Sequence, residues 1–467
     1  MQDDHSRDGR NWVLGVAALA SFMVALDTMV LTSALATIRT QFHAPMETLQ
    51  WTVNAYNLSF AVLLLTGAAL GDRFGRRRMF AVGIALFVLA SIGCALSQDI
   101  VALIVARAAQ GAAAALVMPL AMALLSSAFS REARAWALGI FSSVTGFALI
   151  AGPAAGGALT EGFGWQWIFW INVPIGGVAL LMIFARLRES FGPKAGLDLA
   201  GLVLVAAAAF ALVWALLRGN GAGWTSPEVL TALLCGLVLA TVFIGWELRA
   251  AAPMVPLQLF RARAFSSGIL ASFLFYAAMY GVLFLLPQLL QSALGNTPLG
   301  AGLRLLPWTA TLFVTAPVAG ALVNKVGERA LVATGLVMQA IGLGWIACIV
   351  APGVSYPALV APLILAGVGV SMAMPAVQNA VLGSVAVVEM GKASGIFNMG
   401  RFLGGVFGVA LLVATFSGSS AGNSPAGFTS GFAEAMTVAA ILSLGGAIAG
   451  WWLPAGSRIV AAKPERA

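Results

Sequence analysis

The sequence predicts an all-α integral membrane protein of fourteen membrane-crossing helices, arranged as two blocks of six with an inserted pair between them. Three observations carry this reading. Hydrophobic residues make up 60% of the 467-residue chain and charged residues only 9%, against about 25% charge in a soluble domain. Mean hydropathy is +0.96, and the apolar residues gather into runs of the ~20 residues that a bilayer-spanning helix needs. A ten-residue segment of the first block also recurs in the second. Lipid offers the backbone no hydrogen-bond partner, so outside a closed barrel only helices can satisfy it.

In chain order the apolar runs are 12–38, 50–70, 79–97, 100–122, 136–160, 166–186, 197–217, 228–246, 265–291, 300–323, 330–350, 356–384, 392–417 and 431–453. The first begins at Trp12, after the polar opening MQDDHSRDGRN. Ala34-Leu35-Ala36 superficially matches a signal-peptidase site, but the apolar stretch before it exceeds the ~7–15 residues of a signal core. It reads as an uncleaved first span. The second and third runs flank the charged turn Gly71-Asp72-Arg73-Phe74-Gly75-Arg76-Arg77-Arg78. Fourteen is even, so both chain ends fall on one side. Of the 25 Lys and Arg residues, twenty lie in loops on that side. Only Arg39 and Arg218 lie on the other, and Arg107, Arg304 and Arg401 fall within or near spans. The positive-inside rule then places both termini in the cytoplasm and the protein in the cell membrane. Arg304, at the start of its run, suits an interfacial position. The net charge of +8 is divided among short loops, which is not the continuous basic surface that nucleic acid requires.

Ala68-Ala69-Leu70-Gly71-Asp72-Arg73-Phe74-Gly75-Arg76-Arg77 aligns without a gap on Gly320-Ala321-Leu322-Val323-Asn324-Lys325-Val326-Gly327-Glu328-Arg329, 252 residues later. Both follow the second span of a block of six. The chain therefore divides into an N-terminal tail (1–11), a six-span half (12–186), a linker with two extra spans (187–264), a second six-span half (265–453) and a C-terminal tail (454–467). Two related halves around a cavity form a transporter architecture, with substrate sites near the bilayer midplane.

Cys94, Cys235 and Cys348 stand alone in apolar runs, and the two histidines are His5 and His43. No metal site or disulfide framework is expected from them. A phosphate loop and a zinc-protease motif are both missing, so no cofactor is expected and the energy source is not ATP. Asp27 is the one carboxylate deep in a predicted span. An ionised group at mid-bilayer costs ~2.5–3.5 kcal/mol on insertion scales, and burial favours the neutral form of an acid. Asp27 is thus a candidate proton or cation site, the alternative being a structural ion pair. At 1.5 Å per residue, Asp27 lies roughly 22 Å from the inner end of its span and Arg107 about 10 Å below the outer end of its own. In a core of ~30 Å the two share a depth, which makes Arg107 the natural partner.

Several motifs together resemble the major facilitator superfamily, and within it the fourteen-span drug:proton antiporters. The turn GDRFGRRR is similar to the family's loop signature, and Arg107-Ala108-Ala109-Gln110-Gly111 to its fourth-span RxxQG. Gly152-Pro153-Ala154-Ala155-Gly156-Gly157 resembles the fifth-span antiporter motif, and Leu26-Asp27-Thr28-Met29-Val30 the first-span pattern. Trp165-Gln166-Trp167-Ile168-Phe169 with Asn172-Val173-Pro174 is similar to WRWIFxINVP, and Gly391-Lys392-Ala393-Ser394-Gly395 with Asn398 and Arg401 to GxASGxxNxxRQ. Departures are Met29, Thr32 and Ala36 where Thr, Asn and Pro are usual, Ala68 for the first loop glycine, and Gln166 for an arginine.

The resemblance implies the major facilitator fold and a proton-coupled exporter, not an enzyme. It would exchange protons for hydrophobic, often cationic, small molecules across the lipid bilayer, and work as a monomer. Spans one and four would pack together, joining Asp27 to Arg107. Gly71, Asp72, Arg73, Gly75, Arg76 and Arg77 would form a latch, with Asp72 at the start of the span near Gly391 in the outward-facing state. The glycines of the turn would give it a permissive backbone. Gly152, Pro153, Gly156 and Gly157 would form a tight seam against leak, although small residues and kinking prolines also serve plain packing. Tyr56, Asn57, Met118, Tyr276, Tyr280, Gln288, Asn379 and Asn398 would sit on cavity-lining spans, with packing as the alternative. Arg401 would gate, or else snorkel to the cytoplasmic face. Rival readings are a metabolite or amino-acid carrier, which needs a charged or hydrogen-bonding pocket in the second half, and a non-transporting receptor or scaffold.

Overall fold

The computed structural model describes residues 2–129, 131–192, 196–386, 389–419 and 425–454. Of the basic loop residues, Lys194, Arg458, Lys463 and Arg466 lie outside this set, with the tail beyond residue 454. The side chains of Arg7, Arg131, Arg134 and Asn324 do too.

Fourteen described helices are long and apolar enough to cross a membrane. They are α1 (Arg10–Phe42), α2 (Met46–Phe74), α3 (Arg76–Ala95), α4 (Ile100–Ala128), α5 (Trp136–Phe163), α6 (Trp167–Arg186) and α7 (Leu199–Ala222). Then come α8 (Pro227–Glu247), α9 (Arg263–Ala293), α10 (Pro298–Val323), α11 (Glu328–Ile349), α12 (Tyr356–Gly383), α13 (Met390–Ser417) and α14 (Ala426–Trp451). Several open on a side-chain cap that satisfies an otherwise orphaned N–H. Asp99 accepts from Ala102 N at 2.8 Å, Asp198 from Gly201 N at 2.8 Å and Thr297 from Gly300 N at 3.1 Å.

Two expectations change. The tail expected at 1–11 is helical from Gln2 and continuous with α1. The run expected as one helix, 300–323, is interrupted, giving Pro298–Arg304, Leu306–Thr309 and Thr311–Val326. Pro307 withholds an N–H and disfavours helical geometry at the residue before it. At the second break the Thr311 hydroxyl donates to Trp308 O at 2.6 Å, a side-chain bond that competes with the helical ladder.

The two six-helix blocks use the same pairings. α1 packs on α5 as α9 packs on α13; α2 on α4 as α10 on α12; α3 on α4 as α11 on α12; α3 on α6 as α11 on α14. The inserted pair lies across the seam of the blocks. α7 packs on both α2 and α13, where Leu58, Val62, Val205, Val213, Leu217 and Val406 form a separate apolar cluster.

The blocks are joined at the end of the bundle away from the GDRFGRRR turn. Ser33 Oγ donates to Pro153 O at 2.6 Å within the first block, and Gln291 Nε2 of the second donates to Ser33 O at 2.9 Å. Leu299 N donates to Glu161 Oε2 at 3.2 Å. α5 packs closely on the Pro298–Arg304 part of α10 and hardly at all on the Thr311–Val326 part, so these two helices part toward the basic end. Gly156 and Gly157 make the joint possible. A Cβ on Gly156 would strike the backbone of Val30, and one on Gly157 would strike Pro298 O and Leu299 of the other block. In lipid, where apolar burial gives no preference for helix over tail, such close backbone approach is a main source of helix adhesion. Gly157→Val should therefore open this joint. A lower melting temperature and faster cysteine crosslink loss between α5 and α10 are the expected readouts, and an unchanged melting curve would count against it.

Candidate functional site

α1 carries Asp27 into the interior of the first block, where its side chain is sealed at 1% exposure. Arg107 of α4, equally buried at 1%, pairs with it: Nη1 lies 2.6 Å from Asp27 Oδ2. The other carboxylate oxygen is also filled. Gln110 Nε2 and Asn172 Nδ2 each donate to Oδ1 at 2.8 Å. Arg107 also donates from Nε to Thr52 O at 3.0 Å and from Nη1 to Gln110 Oε1 at 2.6 Å, and its guanidinium lies 4.2 Å from the centre of the Tyr56 ring. Ser91 of α3 accepts from Gln110 at 2.8 Å. Five helices thus converge on one carboxylate. A cation and two amides thus surround a single carboxylate, with no second acid in this network among the described residues.

The structure brings together Asp27 and Arg107, as their shared depth predicts. Gln110, Asn172, Ser91 and Thr52 were not singled out as site residues by the sequence reading, although Gln110 and Asn172 lie inside two of the motifs it quotes. Polar residues at those motif positions were the available signal.

A cavity opens between the blocks. Met29 and Ile150 of the first face Met279, Tyr280, Trp308 and Arg401 of the second across it. Arg401 does not snorkel, contrary to one expectation. Its guanidinium turns inward, 4.7 Å from the centre of the buried Tyr276 ring and 5.3 Å from that of Phe402. Among the described residues Arg401 is the one charged residue on the wall, so the expected preference for cationic cargo finds no acid there. Of the eight expected cavity residues, Tyr280 is on the wall. Tyr56 is buried beneath Arg107 and Tyr276 beneath Arg401. Asn57 is buried with neither amide atom bonded, and Met118 packs into the core. Gln288 donates to Phe284 O at 2.9 Å, and Asn398 to Ser394 O at 2.9 Å. Asn379 is exposed and donates to Glu328 Oε1 at 3.1 Å, tying α12 to α11 away from the cavity. Aromatic rings link the two arginines. Tyr56 meets Phe60 at 6.0 Å, Phe60 meets Phe402 at 4.2 Å, Phe402 meets Tyr280 at 6.3 Å and Tyr280 meets Tyr276 at 6.2 Å.

In the basic turn, Gly75 takes φ +106° between α2 and α3, a backbone region that glycine enters without strain. Gly71 has another reason to be glycine: it is helical and a side chain there would meet Leu120 of α4. Asp72 pairs with Arg76 of its own turn at 2.7 Å rather than with the start of α13. Glu189, a residue the sequence reading passed over, accepts from Arg77 N at 2.8 Å and Arg78 N at 3.3 Å. It brings negative charge to the N-terminus of α3, where the helix dipole favours it. Arg77 Nη2 donates to Phe184 O at 3.2 Å, while Arg73 and Arg78 are exposed.

A profile of the Major Facilitator Superfamily matches residues 17–270 and again 268–466. The chain belongs to the Major Facilitator Superfamily. Among its relatives is "Multidrug resistance protein Stp" of Mycobacterium tuberculosis, 35% identical over 84% of this chain and 73% of that one. The "Tetracenomycin C resistance and export protein" of Streptomyces glaucescens is 34% identical over 86% and 76%. "Cephamycin export protein CmcT" of Amycolatopsis lactamdurans is 34% identical over 95% and 93%. Among solved structures, a POT family transporter in complex with a thioalcohol-conjugated peptide superposes with a TM-score of 0.70 at 15% identity, covering 92% of this chain and 94% of that one. At that identity the likeness concerns the fold. The superfamily's double six-helix plan accounts for the repeated pairings, and this chain adds α7 and α8 to it.

The buried pair makes a thermodynamic prediction. Removing one partner of a buried ion pair costs ~3–5 kcal/mol because the other charge is stranded, whereas replacing both is far milder. Arg107→Leu should lower the melting temperature of the purified protein strongly, and Asp27→Leu/Arg107→Leu should recover much of the loss. A double variant as damaged as the sum of the two singles would contradict this.

Proposed function

We propose that the chain is a proton-coupled exporter of hydrophobic small molecules, drugs among them. It would work as a monomer in the cytoplasmic membrane with both termini inside. The observation that carries this reading is the Asp27 carboxylate, sealed in the membrane part of one block and held by Arg107, Gln110 and Asn172. The names of the relatives support efflux as the direction of transport.

The mechanism follows from the chemistry of the site. Protonation of Asp27 removes the charge that holds Arg107 and turns one carboxylate oxygen from acceptor to donor. The oxygen left as a carbonyl still accepts from Gln110 and Asn172, but without the charge these bonds and the pairing to Arg107 weaken, which loosens the hold of α4 and α6 on α1. α1 also contributes Met29 to the cavity wall, so the same helix carries the proton site and part of the cargo site. The cavity alternates its opening as one block rocks on the other. The joint of α5 and α10 away from the basic turn supports an inward-facing state. Gly152, Pro153, Gly156 and Gly157 provide the seam that excludes leak at the joined end. In this state Asp72 is occupied by Arg76, and the latch formed by Gly71, Asp72, Arg73, Gly75, Arg76 and Arg77 engages when the basic end closes. A metabolite carrier is the second reading, favoured by the charge of Arg401 on the wall.

In proteoliposomes, an imposed pH gradient should drive uptake of a fluorescent hydrophobic cargo by the wild type, and Asp27→Asn should abolish the gradient dependence while still binding cargo. Full gradient-driven transport by Asp27→Asn would sink the coupling role. For the latch, Asp72→Asn should slow transport several-fold with insertion and topology intact, and unchanged rates would remove the latch from the mechanism.

A further inference from the structure

Arg107 and Arg401 are both cations within the membrane part of the fold, and they are treated oppositely. Arg107 has a carboxylate, a backbone carbonyl and a side-chain amide oxygen. Arg401 forms no salt bridge among the described residues, and its Nε is enclosed with no hydrogen-bond partner. What it has instead are the faces of Tyr276 and Phe402 and the neutral side chain of Tyr280 beside it, and such contacts compensate only part of the lost hydration. A charge placed in the membrane and left short of a counter-charge is costly, and such residues by default serve a pathway or a ligand. The residue is half-buried and lines the cavity.

The rest of the wall sets the remainder of the ligand. Met29, Met279 and Trp308 are broad, apolar and polarizable, and methionines adapt to irregular shapes. Thr309 and Ser371 add small hydroxyls. Among the described residues no acid lines the wall to compete for the guanidinium. Nor is the carboxylate of Asp27 available to it, being buried and saturated by its own three donors.

We infer that the cavity binds compounds that combine an apolar, aromatic body with one anionic group, the anion pairing with Arg401. A planar guanidinium recognises a carboxylate or a similar oxyanion through charge-assisted hydrogen bonds. This deepens the exporter reading and rests on it for the direction of transport. It also separates the cargo from that of a metabolite carrier, since a small hydrophilic acid would leave the apolar wall unfilled.

The test uses the full chain in nanodiscs, with binding to empty nanodiscs subtracted, and three probes: pyrenebutyrate, its methyl ester and butyrate. Wild type should bind pyrenebutyrate saturably and about tenfold or more tighter than the ester, as loss of a charge-assisted hydrogen bond implies. Butyrate should not compete. Arg401→Gln should bind acid and ester alike while keeping its affinity for the ester, and Arg401→Lys should keep part of the preference. Retained ester binding excludes misfolding as the cause. Equal binding of acid and ester by the wild type, an acid preference that survives Arg401→Gln, or no saturable binding of the acid would each overturn the inference. No pH gradient enters this measurement. A protein that binds the acid but ignores a gradient keeps the anion site and loses proton coupling, and one that pumps without preferring the acid does the reverse.

Discussion

An ion pair sealed inside a membrane protein dictates much of what surrounds it. Asp27 and Arg107 gain nothing from water at 1% exposure each, and an uncompensated charge there would be far more costly than any single packing contact. The pair therefore recruits polar partners, and they come from different helices: Thr52 from α2, Gln110 from α4, Asn172 from α6. The requirement fixes the rotation of each helix about its axis, because a turn of one residue would withdraw its polar group. Helix positions in the first block are thus set by polar satisfaction, with apolar packing filling what remains.

The second block is built on the same pairings with a different polarity. Where α1 presents Asp27 to α4, the described interior of the second block buries uncharged polar side chains such as Ser272, Gln288 and Gln339, and Arg401 lines the cavity. The division of labour follows: a closed, charge-balanced site in one half and an open, unbalanced cation in the other. The row of rings from Tyr56 to Tyr276 runs between them through Phe60 and Phe402, across the α2–α13 seam. Rings in contact cannot move independently in a close-packed interior. A rearrangement at Arg107 would be felt at Arg401 through contiguous packing.

Adhesion between helices comes from elsewhere. Lipid tails are as apolar as leucine, so close backbone approach does what hydrophobic burial does in water. Gly156 and Gly157 give α5 that approach on two faces, to α1 within its own block and to α10 of the other. The inserted helices add a seam of ordinary aliphatic contacts through α7. Such a bundle has strong local joints with slack between them, which suits helices such as α5 and α10 that part at one end while staying joined at the other.

The sequence by itself determined the membrane class, the fourteen helices and the internal repeat. Each is a local property: length of an apolar run, sign of loop charge, recurrence of ten residues. Depth along a helix is local too, which is why Asp27 and Arg107 could be matched before any packing was known. Azimuth is not local. Gln110 and Asn172 are polar residues in quoted motifs, yet only the packing of α4 and α6 against α1 turns them onto the carboxylate. The eight cavity candidates show the same limit, since Asn379 points to Glu328 and Tyr280 to the cavity, and a uniformly apolar helix carries no moment to tell its faces apart. Snorkelling or facing inward was likewise undecidable for Arg401 from its distance to the helix end. The tertiary structure decided it, because the rings of Tyr276 and Phe402 supply an inner seat for the guanidinium beside the cavity.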